Sequence, residues 1–140
     1  MNQIKLDILK TEFLLTQQQM DKYDQLSMTV KAWAVTSWVA SSGWALQSAK
    51  KEILLLGMVL VITFWFFDGI NKTFRTHYKN RRDQIAVALR ETTEKDTNPN
   101  IQTPQLPPYS LQGVIGNVFT PHISLPYISF IVISLVLFLI

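Results

Sequence analysis

The 140-residue chain has no cysteine, which excludes disulfides, thiolate metal sites and cysteine nucleophiles together. It also has no Asp, Glu, Lys or Arg after Asp96. Its 13 Lys and Arg and 10 Asp and Glu all lie at or before that residue, and charged residues make up only 16% of the chain against 48% apolar. A domain folded in water scatters charge over its whole surface, at about a quarter of its residues. Missing too are a Gly-rich phosphate loop, a His pair at metal-binding spacing and a supported Ser/His/Asp arrangement. His77 and His122 are far apart in sequence and read as residues at membrane flanks. Neither an enzyme nor a cofactor is expected.

What is present is apolar sequence in long runs. Residues 53–67, ILLLGMVLVITFWFF, are apolar on every side, as suits a helix among lipid or other helices. Fifteen residues at 1.5 Å each reach roughly 22 Å, short of a ~30 Å hydrocarbon core. The span therefore draws in neighbours such as Ala49, Gly69 and Ile70, or the bilayer thins. Trp65, Phe66 and Phe67 resemble an interfacial aromatic belt. Residues 123–140 form a second uncharged run, with Pro121 and Pro126 in its first turns, where a helix tolerates proline best.

A third uncharged segment, residues 32–49, is less greasy and divides into two faces. Trp33, Thr36, Ser37, Ala40, Ser41, Trp44, Gln47 and Ser48 fall on one side of a helical wheel. Val35, Trp38, Val39, Ser42 and Leu46 fall on the other. Such a polar stripe turns toward other helices or toward water. Two readings stay open: small-residue helix packing, and a water-facing path lined by Thr36, Ser37, Ser41, Gln47 and Ser48. In the second reading Trp33 and Trp44 form an apolar gate that closes by dewetting.

Lys72, Arg75, Lys79, Arg81 and Arg82 follow the 53–67 run, whereas residues 50–52 carry only two lysines and one glutamate. Positive-inside counting puts the amino terminus and residues 70–120 in the cytoplasm and the carboxyl terminus outside. Residues 1–23 hold acids and bases equally and do not read as a cleavable signal peptide.

The cytoplasmic part is expected to be helical. Residues 2–31 contain no Gly or Pro, and Leu6, Leu9, Phe13, Thr16, Met20, Tyr23, Ser27 and Val30 follow a 3-4 alternation of coiled-coil type. One helix is predicted from about residue 3 to 48. Phe74, Tyr78, Ile85 and Leu89 stripe the returning segment, which is predicted to lie antiparallel to the first. Oligomerisation would cover the remaining apolar surface, with the first stripe as the expected contact. Five prolines, with Gly113 and Gly116, mark a linker without regular helix.

Asp68 is the acid at the carboxyl end of the 53–67 run. Its expected partner is Lys72, four residues on. The functional alternative is a charged ring at a pore mouth. For the run His77 to Arg82 the simpler reading is a topology signal attracted to anionic headgroups. The sharper one is a nucleotide or oligonucleotide site using Arg75, Tyr78, Lys79, Arg81 and Arg82.

The segments Lys31-Ala32-Trp33-Ala34-Val35-Thr36, Phe64-Trp65-Phe66-Phe67-Asp68-Gly69 and Phe74-Arg75-Thr76-His77-Tyr78 together resemble a family of small three-span bacterial membrane proteins. The shared pattern is Lys-x-Trp, an aromatic-Trp-x-x-Asp end to the second span, and a Phe-Arg-x-x-Tyr helix. The acidic residue common before Phe-Arg is absent here. Members are similar to effectors of anti-phage defence operons, of which the Hailong-type membrane ion channel is the nearest kind. The resemblance implies a homo-oligomer, a tetramer by that analogy, that permeabilises the bacterial inner membrane. Its regulator would be a nucleotide or oligonucleotide made by a nucleotidyltransferase.

The expectation is thus an all-α membrane protein with a cytoplasmic helical-hairpin stalk, assembled as an oligomer. It comprises a cytoplasmic helix (1–31), a first span (32–49), an external turn (50–52), a second span (53–69), a basic helix (70–96), a Pro-rich linker (97–121) and a third span (122–140). The expected function is a gated ion channel, and the alternative is a non-conducting anchor or assembly subunit for a cytoplasmic partner.

Overall fold

The structure, a computed structural model, describes residues 2–95 and 110–140. The described residues are almost wholly helical: α1 (Asn2–Ser48), α2 (Glu52–Lys95), α3 (Leu111–Val118) and α4 (Pro121–Leu139). Among them α2 and α4 are long and apolar enough to cross a membrane. No break separates the second span from the basic helix, because α2 contains no proline and a helix absorbs a single glycine such as Gly69.

The turn between α1 and α2 is made by Ala49 at φ 54, a left-handed conformation that costs an L-residue with a Cβ roughly 1–2 kcal/mol. Glycine would take that position without the clash. Ala49→Gly is therefore expected to stabilise the chain by about 0.5–1 kcal/mol, once glycine's greater freedom when unfolded is subtracted. A thermal melt followed by circular dichroism checks this, and a lowered midpoint would refute it.

The chain divides into two compact units, Met1–Asp24 with Phe74–Tyr109 and Gln25–Thr73 with Ser110–Ile140. In the first, α1 and α2 run antiparallel, as Glu12 pairs with Arg81 while Tyr23 stacks on Phe74. The expected stripe is the inward one. Leu9, Thr16 and Met20 are buried, as is Ile85 of α2, while Leu6, Phe13 and Tyr23 are partly covered. Each such apolar side chain stabilises the pair by ~1.5–3 kcal/mol when fully covered. The Thr16 hydroxyl donates to the Glu12 carbonyl at 2.7 Å, which satisfies it inside the helix. The stripe is therefore closed within the hairpin, and the exposed apolar residues of this unit are others: Ile4, Ile8, Leu14 and Leu15.

In the second unit Ala34 of α1, Val61 of α2, and Ile123 and Tyr127 of α4 form the core, with Trp38, Phe64, Trp65, Phe130 and Ile131 packed around it. Polar atoms join the helices. The Trp38 indole N–H donates to Ser134 Oγ at 2.9 Å, which passes the chain on to the Phe130 carbonyl at 2.8 Å. Trp38 also stacks on Phe130 with ring centroids 4.9 Å apart.

The expected linker is partly helix. Residues 97–109 lie outside the described residues, but α3 occupies 111–118 despite Gly113 and Gly116. No proline falls between Pro108 and Pro121, and α3 is held by contacts that offset its weak propensity. Val118 is buried against Gly69, where a Cβ would lie 2.1 Å from Val118 Cγ2. The Trp65 indole donates to the Val118 carbonyl at 2.9 Å, and Asn117 Nδ2 to Thr73 Oγ1 at 3.0 Å.

Candidate functional site

The most unusual group in the second unit is a carboxylate. Asp68 of α2 is 0% exposed, and an ionised carboxylate so placed requires donors. Three converge on it. Ser27 and Lys31 of α1 stand one helical turn apart and so share a face. The Ser27 hydroxyl donates to Oδ1. Lys31 Nζ lies 3.5 Å from Oδ2. From α4 the Tyr127 hydroxyl donates to Oδ2 at 3.3 Å, its ring stacked on Trp65 at 6.3 Å.

The expected Asp68–Lys72 pair gives way to this arrangement. The ion pair formed by Asp68 is with Lys31, while Lys72 Nζ donates to Thr120 Oγ1 at 2.7 Å and lies 2.7 Å from His122 Nε2. The physical reason is direction: Asp68 points inward between helices, where α1 and α4 present donors. Nor does Asp68 present itself as a charged ring, since nothing of it reaches the surface of this chain. What the cluster does chemically is tie three helices through one desolvated charge.

The residues expected to line a path separate into two groups. Trp33 and Trp44, 63% and 61% exposed, share the outer face of α1 with Thr36, Ala40, Gly43 and Gln47. Ser41 does not join them. It is buried, donates to the Trp38 carbonyl at 3.0 Å, and sits where a Cβ on Gly57 would meet its Oγ at 2.3 Å. That is small-residue packing between α1 and α2. Ser37 and Ser48 are half-buried at the edge of the outer face. The Thr36 hydroxyl donates to the Ala32 carbonyl at 2.9 Å and Ser48 to Trp44 at 2.7 Å. Those hydroxyls therefore do not require a neighbour outside the helix, contrary to the expectation from the stripe.

The residues expected to hold a nucleotide lie in the first unit and are mostly engaged there. Arg75 pairs with Asp24 at 2.5 Å, and Tyr78 stacks on Tyr23 at 5.7 Å. Arg81 sets Nε and Nη2 against Glu12 Oε1 at 2.9 and 2.7 Å. Arg82 meets Asp83 at 2.8 Å and donates to Gln17 at 3.4 Å. Of the five, Lys79 is the exposed one. The cause is α1, whose facing side supplies Glu12, Gln17, Tyr23 and Asp24. Phosphate contacts would have to displace these pairs, so the set ties two helices rather than forming an open cradle.

Among the described residues no group of three or more His, Asp or Glu side chains is placed to hold a metal ion. Compared with protein-family models, curated proteins and solved structures, the chain matches none.

Proposed function

We propose that the chain is the subunit of a gated membrane pore, in which residues 32–49, 53–69 and 122–140 cross the bilayer and copies assemble around their first spans. The observation that carries this reading is the outer face of α1. In a segment without charge, Gln47, Thr36 and two tryptophans are exposed, and Gly43 has no atom within 4 Å of where a Cβ would stand. The opposite side of the same segment, at Ala34, Ser41 and Ala45, is buried. The face also exposes Val35, Val39 and Leu46, but the Gln47 amide and the indole N–H groups of Trp33 and Trp44 are unfavourable in hydrocarbon, so a second copy or water is their natural neighbour. Exposed Ile4, Ile8, Leu14 and Leu15 in the first unit also favour assembly.

In this reading Thr36 and Gln47 line the path and Trp33 and Trp44 constrict it, with Ser37 and Ser48 at its margin. The amino terminus is cytoplasmic and the carboxyl terminus external, as the bases after residue 70 favour. The resemblance to defence effectors suggests its use: depolarising the inner membrane during phage infection, under a nucleotide or oligonucleotide signal.

A second reading, a non-conducting anchor or assembly subunit, is favoured by the internally bonded hydroxyls of Thr36 and Ser48. Recordings from purified protein in planar bilayers separate the two. The pore reading expects Trp44→Ala to raise resting conductance severalfold, with toxicity on expression. If neither wild type nor Trp44→Ala conducts, with or without candidate nucleotides, the anchor reading replaces it.

A further inference from the structure

Helix α3 is bare on two unlike sides. Leu111, Ile115 and the C-cap residue Phe119 recur at every fourth position, which puts them on one face, and all three are exposed. The opposite side holds Gly113 and Gly116, exposed as well, with no atom within 4 Å of where a Cβ on Gly116 would stand. The edge between them is turned to the protein, through Asn117 on Thr73 and buried Val118 on Gly69. The helix carries no charged residue, whereas a helix face turned wholly to water is ordinarily charged or polar.

The second observation, independent of the first, is the level at which α3 is held. Phe119 and Thr120 alone separate it from α4, so by chain reach Val118 stands at most roughly 11 Å from the first residue of that helix. On α2, the Trp65 indole donates to the Val118 carbonyl at 2.9 Å, and its ring meets Phe119 edge-on with centroids 5.5 Å apart. Asn117 bonds instead to Thr73 at 3.0 Å, about two helical turns further along α2. Trp65 belongs to the aromatic end of the apolar run, and Thr73 to the segment of Lys72 and Arg75. The end of α3 therefore straddles the point where the apolar run of α2 stops and α4 begins. An uncharged helix at that boundary, apolar on one side and bare glycine on the other, matches acyl chains on one side and headgroup water on the other.

We propose that α3 lies in the membrane interface, with Leu111, Ile115 and Phe119 against lipid acyl chains and Gly113 and Gly116 toward water. Lipid suits this face better than a second copy does. A stable protein interface takes roughly 20–30 residues a side, and three side chains fall far short, whereas acyl chains need no matching shape. The inference rests on the reading of α2 and α4 as membrane-spanning, and it does not require that the protein conduct. Because α3 is bonded to α2 at Trp65 and at Thr73, on either side of Asp68, it ties the membrane surface to the segment that carries the buried carboxylate.

A chain without cysteine accepts single nitroxide labels directly. Leu111→Cys, Ile115→Cys, Gly113→Cys and Gly116→Cys, each labelled in the full chain, are placed in vesicles of phosphatidylethanolamine and phosphatidylglycerol. All four positions are exposed, so the labels displace no packed atom. Collision with oxygen, which concentrates in hydrocarbon, is compared with collision with a water-soluble nickel chelate. The ratio of oxygen to chelate access is expected to be severalfold higher at 111 and 115 than at 113 and 116. Equal chelate access at all four positions overturns the proposal, because α3 would then stand in water. Shielding of 111 and 115 from both reagents overturns it in favour of a protein cover, and oxygen access without chelate access at all four means that α3 is immersed. Labels at Val59→Cys and Ile62→Cys, exposed positions in the apolar run of α2, keep the two readings apart. Chelate access there refutes the membrane reading and the proposal with it. Oxygen access there, without the expected contrast in α3, refutes only the placement of α3.

Discussion

Replacing Lys31 by methionine should destabilise the chain by about 3–5 kcal/mol, the range seen when one partner of a buried ion pair is removed. Asp68 is 0% exposed, and Lys31 is the cation of its ion pair. Taking away the ammonium leaves a carboxylate with the hydroxyls of Ser27 and Tyr127 as donors. Those two hydrogen bonds are already made in the wild type, so they do not replace the counter-charge that the variant removes. Asp68→Asn should be milder. The amide oxygen still accepts a hydrogen bond, and the Lys31 side chain, 32% exposed, can carry its ammonium to water. The double variant should recover most of what Lys31→Met loses. Thermal melts of the four proteins in one detergent decide the matter. Equal losses in the two single variants would mean that the carboxylate is not desolvated as described.

Gly69→Ala is expected to detach α3 and cost about 1–3 kcal/mol, as overpacking of a closed contact does. The new Cβ would stand 2.1 Å from Val118 Cγ2 and 3.1 Å from Val118 Cα. Rotating the valine relieves the first clash but leaves the second, which involves backbone, so α3 itself must move. Its movement breaks the bonds from Trp65 to the Val118 carbonyl and from Asn117 to Thr73. Hydrogen exchange at the amides of 111–118 should rise strongly in this variant. Gly57→Ala should disturb less, because the nearest atom is the rotatable Ser41 hydroxyl, although Ser41 Cβ at 3.0 Å still resists. Unchanged protection of α3 in Gly69→Ala would refute the account.

These two sites differ sharply in how readable they were. A long α1 followed from the absence of Gly and Pro and from the 3-4 alternation, and the same positions, Leu9, Thr16 and Met20, are the buried ones. Local reasoning of this kind works because a helical face is set by residues three and four apart. It failed at Asp68, where the same spacing offered Lys72. The true partner, Lys31, is on another helix, and nothing within α2 points to it. Arg81 and Glu12 are the same case: a basic run looks available until the facing helix is placed beside it.

Two further misses have compositional causes. Gly113 and Gly116 weaken a helix but do not forbid one, and α3 exists through its contacts with Trp65, Gly69 and Thr73. In α4 the apolar residues surround the helix, so hydropathy cannot tell its inner side. Three of its four hydroxyls can: Ser124, Tyr127 and Ser134 are buried, and two of them bond to α1 or α2, whereas exposed Ser129 donates to the Leu125 carbonyl of its own helix. In a segment bathed in hydrocarbon, polar atoms mark the protein-facing side because lipid offers them no partner.

The four tryptophans stand in two kinds of place. Trp38 and Trp65 are anchored, each with its indole N–H bonded to another helix or its terminus and its ring against an aromatic neighbour. Trp33 and Trp44 lie open on the outer face of α1. The chain thus carries two intrinsic fluorophore populations, one reporting on its own interior and one on whatever comes to lie against α1. A brominated lipid quenches the second population when that face meets hydrocarbon and spares it when another copy covers it. The state of the face can therefore be read from emitted light, in unmodified protein, as chains are concentrated or diluted in the bilayer.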